Sequence, residues 1–201
     1  MDKDLTTRLD KILRKLVILR DYAYEASYQN QFHGFELKPC VSEDEILRFE
    51  ERHEVTLPEE YRAFLLRVSN GGVGPHFGLI PFQRCLNHIH GAPDYSLKRP
   101  FPSWQWETWN KLTTESHYVE FKNRFPDVPF PLDGTIFLAT AGCTLNLILV
   151  VSGPARGTVW LEDIGGDRGV TPALQDDQAK TVSFLDWYER WLNQSLKSFG
   201  H

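Results

Sequence analysis

Residues 41–82 read VSEDEILRFEERHEVTLPEEYRAFLLRVSNGGVGPHFGLIPF, and this stretch decides the fold. Ser42 is placed to cap a helix, and Glu45, three residues on, completes a capping box ahead of Ile46, Leu47 and Phe49. Leu57-Pro58 marks a hinge into a second helix, because a proline in the first turn gives up an N–H that has no intrahelical partner. Tyr61, Phe64, Leu65 and Val68 recur at helical spacing and predict one buried stripe. Asn70-Gly71-Gly72 ends the helix, where a residue of positive φ is wanted past the last turn. A strand closing on Gly78-Leu79-Ile80-Pro81 is expected to follow.

On the N-terminal side, Leu5, Leu9, Ile12, Leu13, Leu16 and Leu19 predict an amphipathic helix from about Asp4 into the Tyr22–Tyr28 region. Lys11, Arg14 and Lys15 interrupt what would have to be the apolar core of a secretory signal. On the other side, prolines at 100, 102, 126, 129 and 131 break up residues 83–131, which read as an insertion with helical character only at 114–125. Strands are expected at 135–140, 143–151 and 157–163, with turns at Ala141-Gly142 and Gly153-Pro154. The uncharged run 134–155 has the length of a membrane helix (about 20 residues), but Thr140, Gly142, Thr144 and Asn146 in its middle favour two strands. The alternation of 158–163 is mixed, and its polar end predicts a sheet end or face that reaches solvent. Ser183 caps a last helix, with Asp186 at the capping-box position and Phe184, Trp187, Tyr188, Trp191 and Leu192 on one face.

These elements predict an α+β fold, an antiparallel sheet packed against N- and C-terminal helices. One domain over 1–201 is expected: helix and connection in 1–39, the specific motif in 41–82, the insertion in 83–131, then hairpins and helix in 133–197. Hydrophobic residues make up 41% and charged residues 24%, ordinary for a globular protein, and no internal repeat suggests a solenoid. A net charge of −5 argues against a nucleic-acid partner, because such domains are usually basic. Three cysteines without paired spacing, Cys40, Cys85 and Cys143, fit a reducing, cytoplasmic compartment.

The ordered set Leu57-Pro58, Tyr61, Phe64-Leu65, Asn70-Gly71-Gly72 and Gly78-Leu79 resembles the SUKH superfamily of Smi/Knr-type domains. That superfamily includes bacterial toxin-immunity proteins and a fungal regulator of cell-wall synthesis. The run DGTIFLATAGCTLNLILVVSGPARGTVWLED (133–163) is similar to the family's central hairpins, with Cys143-Thr144 standing where the family pattern is more polar and glycine-rich. Each motif residue has a packing or capping role, so the pattern identifies a fold and not a reaction.

Chemistry is harder to find. Cys85, His88 and His90 lie close in sequence, and His76 and Cys143 could complete a metal set, yet structural-zinc spacings and HExxH are both missing. No GxSxG elbow occurs, and Cys143 in an apolar β region reads as inert packing. Gly71-Gly72-Val73-Gly74 follows a helix, the reverse of the strand-loop-helix order that cradles phosphate. Two features suit a protein partner instead. Glu162, Asp163 and Asp167 predict an exposed acidic loop, and Trp104 and Trp106 are candidate interface anchors, with packing of the insertion onto the core as the alternative reading. The expectation is a non-enzymatic module without cofactor or metal. The resemblance implies a bacterial immunity protein that binds and neutralises a cognate toxin, such as a nuclease. A regulatory scaffold and a metal-dependent enzyme using His76, His88 and His90 are the alternatives.

Overall fold

The computed structural model describes residues 2–25 (23–25 as backbone), 35–87, 95–102, 129–164, 169–174, 176 and 180–200. Helix α1 runs Lys3–Glu25, α2 Glu43–His53 and α3 Glu59–Arg67, and a single 3-10 turn spans Phe82–Arg84. Strands β1 (Thr135–Gly142), β2 (Leu145–Val150), β3 (Val159–Asp163) and β4 (Gly169–Pro172) precede the last helix, α4 (Phe184–Ser198). The four strands form an antiparallel sheet in chain order, β1-β2-β3-β4. The fold is α+β, as the element pattern predicts. Strand β4 was not expected.

Both caps form as half of a capping box. Ser42 Oγ accepts the Glu45 N–H and Ser183 Oγ accepts the Asp186 N–H. The carboxylates do not reach back; Glu45 takes the Gln83 amide and Asp186 takes Arg8. Tertiary partners outcompeted the local return bond.

Residues 71–85 close the outer edge of the sheet. Gly72 and Leu79 exchange both backbone bonds at 2.8 Å, and Ile80 N–H reaches Leu138 O at 2.8 Å. Phe137 N–H then bonds Cys85 O, so the expected strand is realised as isolated bridges that blunt a free edge. Gly72 has φ +89°, and a Cβ there would lie 2.3 Å from Glu36 O. Its glycine identity is a packing requirement as well as a helix stop.

The helices cover one sheet face. Leu9, Ile12, Phe64, Leu65, Phe184, Tyr188 and Leu192 pack with Ile136, Leu138, Leu147 and Leu149, all buried. A bulge in β1 between Phe137 and Ala139 lets Ile136, Leu138 and Ala139 all join this side. Tyr188 spans the layer and donates its hydroxyl to Val73 O at 2.8 Å. Arg8 of α1 binds Glu60 of α3 and Asp186 and Glu189 of α4, tying three helices at one point.

The opposite face is also covered. Phe101, Phe130 and Leu132 lie over Phe137, Ile148, Val150, Trp160 and Val170. Asp133, fully buried, fastens this layer by accepting Arg99 Nε at 2.6 Å, Arg99 Nη2 at 2.8 Å and the Ser96 N–H at 2.8 Å. Such a pair is kept because both carboxylate oxygens are filled. The expectation of a solvated sheet face is therefore corrected. The ends of the insertion supply the second apolar layer, which strand alternation alone could not reveal.

Candidate functional site

Among the described residues a concavity lies between α2 and the Phe82–Arg84 turn. The outer face of α2 brings Glu45, Arg48, Phe49 and Arg52 to one side, at the i, i+3, i+4, i+7 spacing of a helix. Ile46 turns inward and is fully buried, whereas Leu47 stays 49% exposed. Glu54, at φ +52°, ends α2 by donating its N–H to Glu50 O and Glu51 O, which leaves His53 on the groove side.

Asn70 sets the facing wall. Its Oδ1 accepts the Phe82 N–H at 2.7 Å, and its Nδ2 donates to Gln83 Oε1 at 2.9 Å. Gln83 Nε2 donates in turn to Glu45 Oε1 at 2.6 Å, so one amide links the two walls. Phe49 forms the floor with Phe82 and also packs on His53, at centroid distances of 4.7 and 4.5 Å. The cavity over this floor measures about 470 Å³. A second of about 350 Å³ shares Arg52, His53 and Leu86 and continues past Tyr95 to Lys98.

Both signs of charge line this region. Arg8, Arg62, Arg67 and Arg99 hold carboxylates. Arg48 and Arg52, both exposed, hold none among the described residues. Of the nearby acids, Glu54 pairs with Lys98 and Glu45 accepts from the neutral Gln83 amide, while Asp44 and Glu51 are exposed within one turn of Arg48. Burial, then the neighbouring Arg52 charge, lowers the His53 pKa, which keeps the ring neutral at pH 7. Burial pushes the Cys85 thiol up to about 12, so it behaves as a small apolar group. The groove combines an aromatic floor, two free guanidinium groups and an amide bridge. Among the described residues that line it there is no activated nucleophile.

Two of the three acids inferred to be exposed, Glu162 and Asp163, are buried. Glu162 is 1% exposed and Asp163 7%. Glu162 sits opposite Asn146 in the register, accepts its Nδ2 at 2.8 Å and bonds the Ile164 N–H at 2.8 Å. Asp163 accepts the Thr144 hydroxyl. These carboxylates fasten turns at the ends of strands instead of facing solvent. Asp167, Trp104 and Trp106 lie outside the described residues, as do His88 and His90. His76 is exposed in a turn at φ +56°. Cys143 is exposed at the β1–β2 turn with φ +50°, which corrects its reading as core packing. Among the described residues no three His, Cys, Asp or Glu side chains come together as metal ligands, and no helix is long and apolar enough to cross a membrane.

Arg48 and Arg52 went unremarked in the sequence. Their only signature is an i, i+4 pair of like charge around Phe49, and such pairs are common on solvated helices. What sets them beside Phe49 and Phe82 is the packing of α2 against the Phe82–Arg84 turn, a tertiary property.

A family model described as SMI1 / KNR4 family (SUKH-1) matches residues 40–179, most of the chain, including both walls of the groove. No curated protein matches it.

Proposed function

Because the chain belongs to the SMI1 / KNR4 family (SUKH-1), we propose that it is a protein-binding module of the immunity type, which neutralises a cognate toxin by direct binding. The observation that carries this reading is the groove between α2 and the Phe82–Arg84 turn, which offers apolar floor, charged rim and hydrogen-bonding amide without an activated nucleophile. Neutralisation of this kind needs a rigid scaffold and a complementary surface, since covering a toxin's active site blocks it without chemistry. Trp104, Trp106 and Asp167 belong to this proposal as further contact residues. The unpaired cysteines, two of them exposed, fit work in a reducing, cytoplasmic setting.

The test is co-expression with the product of the adjacent gene, followed by growth rescue and co-elution. Rescue with a stoichiometric complex supports the reading. A neighbour that is neither toxic nor bound removes the cognate-toxin assignment.

A further inference from the structure

We draw no further inference here: the strongest candidate, the groove between α2 and the Phe82–Arg84 turn, belongs to the site already described, carries both signs of charge, and nothing in the structure shows what covers it.

Discussion

Cys85 and Gly72 show how far one side chain can be constrained by its surroundings. Burial pushes the Cys85 thiol up to about 12, whereas Cys40 and Cys143 are exposed. A thiol-disulfide reagent at pH 8 should therefore modify two of the three cysteines in the native protein and the third only in denaturant. Three fast-reacting thiols would place Cys85 at the surface. At Gly72 the φ is +89°, and Glu36 O lies 2.3 Å from where a methyl group would sit, which leaves no room for alanine. Gly72→Ala should cost about 2 kcal/mol or more, read as a lowered urea midpoint. His53 adds a pH effect. Its folded pKa lies below the ordinary histidine value, so the unfolded chain binds that proton first as pH falls. Its contribution to stability is full above the unfolded value of about 6.5 and declines on acidification below it. His53→Gln should flatten the acid side of a stability–pH curve, and an unchanged slope would count against the shift.

Among the secondary-structure elements, the β2–β3 pair depends on a polar contact that was expected to be solvent. Glu162 Oε2 accepts the Asn146 amide and Oε1 accepts the Ile164 N–H, both inside the protein. Glu162→Ala would strand two buried donors and should cost about 2–3 kcal/mol. Glu162→Gln keeps one acceptor and should cost less, and the difference in thermal midpoint between the two measures the satisfied donor. The helix starts teach the same lesson on a smaller scale. Ser42 and Ser183 were legible as caps because an oxygen two or three residues before a helical N–H needs no tertiary information. The missing return bonds were not legible, because Gln83 and Arg8 come from other elements.

Across the molecule as one body, α1 and α4 lie outside the family match of 40–179 and are joined to it through Arg8. Arg8 Nη1 binds Glu60 at 3.2 Å, and Nη2 binds Asp186 at 2.6 Å and Glu189 at 3.1 Å. Its removal leaves three carboxylates near one another without their shared cation. Arg8→Ala should lower stability by about 1–2 kcal/mol, more than a solitary surface pair would, as read from the urea midpoint. The loss should be smaller at high salt, because part of this site is solvated.

Local spacing was enough to identify the helices of the 41–82 segment, the terminal helices, the first three strands and the family they belong to. The signals are period 3.6 for Leu9, Ile12 and Leu16, cap oxygens at Ser42 and Ser183, and positive φ at Gly71 and Gly72. What is surface and what is interior was settled by packing. Glu162 and Asp163 are polar at the end of a strand in either case, but only the Asn146 register and the return of the chain at Ile164 draw them inside. Glu45 and Glu54 are unremarkable as letters, and their partners, the Gln83 amide and Lys98, come from other elements. Spacing along a chain fixes which groups can share a face; which of them keep a partner is set by elements far apart in sequence.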